Sequence, residues 1–152
     1  MKIKLLILDV DGVLTDGKLY YSNAGVETKA FYIRDGLGLK LLLKNKMEVA
    51  IISSRKSKAT QNRMDDLGIK HVYLGAADKI KPFTQLKKNL RLKNENIAYI
   101  GDDLPDIPVM QKVGFSIAVA DAAPEVLELA DHILKNKGGE GAVREACELL
   151  IK

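Results

Sequence analysis

An aliphatic run, Leu5-Leu6-Ile7-Leu8, breaks without transition into Asp9-Val10-Asp11-Gly12, and no other stretch constrains the fold as strongly. Residues 4–8 have the unbroken apolar character of a strand covered on both faces, as in a parallel sheet. Gly12 then lets the chain turn sharply. In open parallel sheets ligands bind just beyond the carboxyl ends of the strands, so Asp9 and Asp11 stand where chemistry would be placed. Two carboxylates this close repel each other unless a cation joins them, and Mg²⁺ prefers oxygen ligands. An Asp pair at a strand end can also simply open a loop and cap a helix.

The rest of the chain alternates strand and helix signals. Residues 18–33 read as two β-rich pieces joined through Asn23-Ala24-Gly25, a hairpin signature. Leu19, Tyr20, Tyr21, Phe31 and Tyr32 give that hairpin more apolar surface than a free-standing one should expose, so a second subunit is expected to cover it. A leucine-rich helix is expected over residues 36–45, a buried strand over 47–53, and a helix over 57–67 closed by Gly68. A short strand at 71–74 precedes a helix carrying Ile80, Phe83, Leu86 and Leu90 at helical spacing, with Pro82 tolerable in its first turn. Another apolar strand, 97–100, runs into Gly101-Asp102-Asp103-Leu104-Pro105-Asp106. A short helix through Met110, a strand at 115–119, a helix opened by Pro124 and an edge strand at 131–134 follow. The last helix has Ala142, Val143, Ala146, Cys147 and Leu150 on one face. This order predicts a single α/β domain over 1–152, a doubly wound parallel sheet with a short hairpin flap.

Three further strand ends carry polar groups. Ser53 ends the second long strand, and its hydroxyl is suited to a phosphate oxygen, although Ser at such junctions often only caps the next helix. Lys79 opens a helix after Asp78. Asp102, Asp103 and Asp106 form a second carboxylate cluster, able to close a metal site with the first.

Asp9 and Asp11, then Ser53, then Lys79, then Asp102 with Asp103 and Asp106 reproduce in order the four motifs of the haloacid dehalogenase (HAD) phosphatases, which the whole chain resembles. With Tyr32-Ile33-Arg34-Asp35-Gly36-Leu37-Gly38-Leu39-Lys40 and Gly138-Gly139-Glu140-Gly141-Ala142-Val143-Arg144-Glu145, and no cap domain beyond the hairpin, it is similar to that superfamily's 3-deoxy-D-manno-octulosonate 8-phosphate (KDO 8-phosphate) phosphatase family. The resemblance implies Asp9 as nucleophile and Asp11 as general acid and base. It implies Mg²⁺ on the Asp9 carboxylate, the Asp11 backbone carbonyl and Asp102, with Ser53 and Lys79 on the phosphoryl oxygens and Asp103 and Asp106 orienting the metal ligands. Arg55 and Arg63 could reach the sugar carboxylate, for which arginine is the best-shaped partner. In phosphatases of 2-keto-3-deoxynonulosonate 9-phosphate a glutamate occupies the Arg55 position, so arginine favours the octulosonate.

Tyr32, Ile33, Arg34, Asp35 and Gly36 would line the sugar, partly from a neighbouring subunit of a homotetramer. The glycines at 138, 139 and 141 would thread past another backbone, and Arg144 would meet anionic substrate or pair with Glu140. One departure is Ser54, where the family usually has glycine. The resemblance also leaves open another acidic sugar phosphate as substrate, or a non-catalytic tetramerisation module. The expected setting is cytoplasmic synthesis of KDO for lipopolysaccharide.

Composition narrows the partners. Aromatic content of 5% without tryptophan, and a net charge of only +4 on lysines scattered among acids, argue against a nucleic-acid groove. No apolar run approaches a membrane span, and the first strand begins too early for a signal peptide, so neither membrane nor secretion is expected. The lone Cys147 excludes a disulfide framework and reads as a small core residue.

Overall fold

Every residue of the first strand, β1 (Leu5–Leu8), is buried, and its two parallel neighbours bring their own carboxyl ends level with it. In this computed structural model, which describes residues 2–152, β1 is followed by β2 (Tyr20–Tyr21), β3 (Glu27–Thr28), α1 (Ile33–Lys44), β4 (Glu48–Ile52), α2 (Lys58–Leu67) and β5 (His71–Tyr73). Then come α3 (Ile80–Asn89), β6 (Ile97–Gly101), α4 (Ile107–Met110), β7 (Phe115–Ala118), α5 (Pro124–Leu129), β8 (His132–Ile133) and α6 (Ala142–Ile151).

The six long-range strands form one sheet in the order β5-β4-β1-β6-β7-β8, parallel at every pairing. The winding runs outward from β1 in one direction through β4 and β5, and in the other through β6, β7 and β8, so the order reverses at β1/β6. Such a reversal opens a crevice at the carboxyl edge. Leu8 lies opposite both Ile51 and Ile100, so Asp9, Ser53 and Asp102 leave the sheet at one edge. The expected α/β doubly wound sheet is therefore the observed one. Among the described residues no helix is long and apolar enough to cross a membrane.

Several boundaries differ from expectation, each for a local reason. The hairpin pairs only Tyr20 with Thr28 and Tyr21 with Glu27, because Gly25 at φ 77° closes a tight turn and the chain leaves the ladder after Thr28. Phe31, expected on the exposed hairpin surface, packs against the core with the Arg63 guanidinium 6.0 Å from its ring centre. Leu19, Tyr20, Tyr21 and Val26 do remain exposed, as do Ile33 and Leu37 on α1.

Helix α1 begins three residues before Gly36, and the reason lies in packing. Its glycine faces let other elements come close: a Cβ on Gly36 would strike the Arg63 guanidinium, and one on Gly38 would crowd Cys147 of α6. Asp35 is consequently only 1% exposed, and its Oδ1 accepts the Arg144 backbone N–H at 3.0 Å, capping the first turn of α6 from a different helix. Cys147 is buried beside it, and burial pushes its thiol up to about 12.

Burial raises the Asp35 carboxyl from 3.8 to about 6, more than its Arg144 contacts lower it. Folding then binds this proton more tightly than the unfolded chain does, so the Asp35 contribution to stability is present below about pH 4 and declines as pH rises toward about 6. Asp35→Asn keeps an oxygen for the α6 cap and removes the buried charge. It is expected to be more stable than the parent by about 1–2 kcal/mol at pH 7 and no more stable at pH 4. Urea denaturation at the two pH values checks this; an equal difference at both would refute it.

Candidate active site

Gly12 determines how closely the two carboxylate clusters approach. It adopts φ 87°, and a Cβ there would fall 1.8 Å from the Asp102 carboxylate. The turn is held by the Val10 carbonyl, which accepts from the N–H groups of Val13, Leu14 and Thr15, and by the Thr15 hydroxyl, which accepts from Gly12 and Gly17. Asp9 is thereby fixed beside Asp102, and its Oδ1 accepts the Val10 N–H at 2.8 Å.

Asp9, Asp102 and Asp106 can each place a carboxylate oxygen within 4.8 Å of the others. Burial, then the neighbouring Asp106 charge, raises the Asp9 carboxyl above its ordinary range, with Lys79 opposing. Burial and then Asp9 and Asp106 push the Asp102 carboxyl up as well. Asp102 Oδ1 is buried without a hydrogen-bond partner. A crowded, partly orphaned oxygen set is the kind of donor arrangement a hard divalent cation satisfies, so these residues fit such an ion.

Asp106, expected to orient the metal ligands, is fully buried, and its Oδ1 accepts from Lys79 Nζ at 2.7 Å and from the Tyr99 hydroxyl at 2.5 Å. Its Oδ2 accepts the backbone N–H groups of Asp102 and Asp103 at 2.9 and 3.2 Å, which fixes the loop carrying Asp102. Lys79 Nζ also lies 3.1 Å from Asp9 Oδ1. Burial alone would lower the Lys79 pKa, but the Asp9 and Asp106 carboxylates outweigh it and the net shift is upward. Lys79 is therefore a permanent ammonium facing the Asp9 side of the cleft.

The cleft is lined by Asp9, Asp11, Gly17, Ser53, Ser54, Arg55, Lys79, Asp102, Asp103 and Pro105. Ser53 is buried, with its Oγ accepting the Arg55 N–H at 3.3 Å and its hydroxyl hydrogen free to turn toward a ligand. Ser54 is exposed and is not among the non-glycine residues of positive φ, which are Lys46 and Arg91, so this turn works without glycine. Asp103 is exposed at the rim and its Oδ1 accepts the Leu104 N–H.

The hairpin adds groups that the motif pattern did not indicate. Lys29, whose side chain is only 2% exposed, contacts Asp11 Oδ1 directly and lies 3.6 Å from Glu27. Arg55 donates to Glu27 at 2.9 Å, and its Nε stands 4.0 Å from Asp11 Oδ2. The one sequence signal for this is alternation: Glu27 and Lys29 share a face of the hairpin strand. Tyr99 was hidden in an apolar run, though a buried tyrosine needs a partner for its hydroxyl.

Other expected residues lie elsewhere in this chain. Arg63 is half-buried beneath Phe31 and against Gly36, and does not line the cleft. Asp35 and Gly36 are buried between helices, which leaves neither free to touch a sugar in the cleft. Tyr32, Ile33 and Arg34 are exposed, and Tyr32 and Arg34 line a separate depression with Asn136, Gly141 and Arg144. Arg144 pairs with Glu148 at 2.7 Å rather than with Glu140. The backbone that Gly138 and Gly139 approach belongs to this same chain: a Cβ on Gly138 would fall 1.7 Å from the Gly12 carbonyl oxygen, and Gly139 N–H donates to the Val13 carbonyl.

Comparison with known proteins agrees with this geometry. The haloacid dehalogenase-like hydrolase family matches over residues 71–146. The 3-deoxy-D-manno-octulosonate 8-phosphate phosphatase of Escherichia coli K12 is 52% identical over 149 residues, covering 98% of this chain and 79% of the relative. The crystal structure of the Yersinia pestis phosphatase of the same name superposes with a TM-score of 0.97 at 49% identity, covering 98% of this chain and 80% of that one. That of the Moraxella catarrhalis phosphatase, in complex with a magnesium ion, a phosphate ion and KDO, gives 0.95 at 44% identity, covering 98% and 86%.

The carboxylate crowding carries a stability consequence. Asp102→Asn replaces a carboxyl whose charged form burial and the neighbouring carboxylates disfavour, so in EDTA it is expected to melt about 2–4 °C above the parent, a gain of about 1 kcal/mol. Added Mg²⁺ is expected to raise the melting temperature of the parent and leave that of Asp102→Asn unmoved. Thermal melts of both proteins with EDTA and with Mg²⁺ measure this, and an equal Mg²⁺ response in the two would remove Asp102 from the ion site.

Proposed function

The chain belongs to the haloacid dehalogenase-like hydrolase family and is a phosphatase, and from that premise we propose that it hydrolyses KDO 8-phosphate to KDO and inorganic phosphate. The observation that carries the reading is the Asp9 carboxylate beside the unpartnered Asp102 oxygen, with a buried ammonium 3.1 Å away. That arrangement offers a nucleophile, a seat for a divalent ion and a fixed cation for phosphoryl oxygens.

In the proposed reaction Asp9 attacks phosphorus, forming an acyl phosphate as the bond from phosphorus to the sugar oxygen breaks. Asp11 gives its proton to the departing alkoxide. It then takes a proton from the water that attacks the phosphorus of the aspartyl-phosphate, releasing phosphate and restoring Asp9. Ser53 and Lys79 hold the phosphoryl oxygens throughout, and the Asp106–Tyr99 pair holds Lys79 in place. Mg²⁺, seated on Asp9, the Asp11 carbonyl and Asp102, supplies neutralising charge between the carboxylate and the phosphate. Asp103 at the rim is placed to orient water near that ion.

Arg55, in the cleft wall, receives the substrate carboxylate. Arg63 and the exposed Tyr32, Ile33 and Arg34 belong to a neighbour-facing surface, together with the apolar hairpin side chains. A homotetramer that buries that surface would bring them to another subunit's cleft. The biological setting is cytoplasmic KDO synthesis for lipopolysaccharide.

Phosphate release from KDO 8-phosphate, 2-keto-3-deoxynonulosonate 9-phosphate and a hexose 6-phosphate, each with Mg²⁺ and with EDTA, tests the proposal. A metal-dependent preference for KDO 8-phosphate is expected. Equal rates on all three would discard the named substrate, and no release from any would turn the reading toward a non-catalytic assembly module. Asp9→Asn is expected to lose about a thousandfold or more in turnover while keeping its fold and oligomeric state.

A further inference from the structure

A carboxylate beside a cleft for an anionic substrate repels its ligand unless it is itself engaged with cations. Glu27 is so engaged: its Oε1 accepts from Arg55 Nη2 at 2.9 Å and lies 3.6 Å from Lys29 Nζ. Arg55, in the loop after β4, stands in the cleft wall with its side chain 42% exposed. A long side chain that open to solvent samples many rotamers unless a partner fixes it. Glu27 is that partner, 21% exposed and carried by β3 on a different part of the chain. Tyr21 lies directly across the ladder from Glu27 and so shares its face. Tyr21 and then Glu27 hold the guanidinium pKa above its ordinary value. Glu27 takes one Nη2 hydrogen, and a guanidinium has five N–H donors in a planar fork, so donors remain for a ligand.

We propose that Glu27 is a specificity-determining residue, which fixes the Arg55 guanidinium in the cleft wall and thereby sets the affinity for the carboxylate of the substrate. This rests on the reading that Arg55 receives that carboxylate. Glu27 is not among the residues lining the cleft and acts through Arg55, so it is a positioning residue. Because the ion pair already orders Arg55 in the free protein, the carboxylate meets a preset donor and binding loses less side-chain entropy. Lys29, only 2% exposed, stays beside Glu27 and offsets its charge as the anion arrives. A phosphate ester without a carboxylate gains nothing from where Arg55 is held, so Glu27 discriminates between the two kinds of ester through binding.

Steady-state kcat and KM for KDO 8-phosphate and a hexose 6-phosphate, at saturating Mg²⁺, test this in the parent, Glu27→Ala, Glu27→Gln, Arg55→Ala and the Glu27→Ala/Arg55→Ala double variant. In Glu27→Ala the ratio of KM for KDO 8-phosphate to KM for the hexose ester is expected to rise about tenfold, with the ratio of the two kcat values as in the parent. Glu27→Gln keeps an acceptor oxygen without the charge, and its KM ratio is expected to rise about threefold. The double variant is expected to match Arg55→Ala, since the effect of Glu27 passes through that arginine. Each quantity is a ratio within one preparation, so a variant that folds in lower yield still reports. An unchanged KM ratio in Glu27→Ala overturns the proposal, and a lowered one does so by making Glu27 a competitor of the substrate for Arg55. A double variant that loses the product of the two single effects overturns it as well. Arg55→Ala with the KM ratio of the parent overturns the carboxylate reading itself, an outcome told apart from the others because it needs no change at Glu27.

Discussion

Gathering three carboxylates at the reversal point of the sheet is the constraint to which the surrounding structure responds. Two unit charges a few ångströms apart repel by about 4 kcal/mol even at an effective dielectric of 20. That is a large part of the roughly 5–15 kcal/mol by which a domain of this kind is stable. Lys79 answers this from within the protein, paired to Asp106 at 2.7 Å and facing Asp9 at 3.1 Å. Tyr99, from the strand next to β1, completes the arrangement by donating to the same Asp106 oxygen. The unpartnered Asp102 oxygen marks where the compensation stops short and a cation is still wanted.

The parts of this design that sequence reasoning recovered are those in which chemistry follows immediately on an apolar strand. Asp9, Ser53 and Asp102 each come within two residues of a buried strand, and parallel register alone brings them to one edge. Groups that depend on distant packing were not legible. Lys29 reads as an ordinary surface lysine until the hairpin folds back over Asp11, and Asp35 reads as a ligand-lining loop residue until α1 meets α6. Arg63 illustrates the same limit: its place on α2 follows from the helical pattern, whereas its burial beneath Phe31 depends on where the hairpin returns to the core.

The hairpin itself has two faces with different demands. Toward the cleft it presents Glu27 and Lys29, which must be held accurately. On the opposite face stand Tyr20 and Val26, both exposed. A pairing of two residues per strand is too slight to fix the inner face unaided. Its order comes from partners outside its own ladder: Tyr20 donating to Asp16, Arg55 to Glu27, and Phe31 seated on the core.

The contact of Gly138 and Gly139 with the turn after β1 joins the last tenth of the chain to its first. The Gly12 carbonyl and the Thr15 backbone are covered only when residues 138 and 139 lie over them, and that turn is what aims Asp9 and Asp11. Closing so long a loop is entropically late in folding. During synthesis Asp9 and Asp11 are made long before the residues that align them. Asp9 and Asp11 are thus set in place only once residues 138 and 139 have docked, and a half-made chain holds both carboxylates without the geometry that aims them.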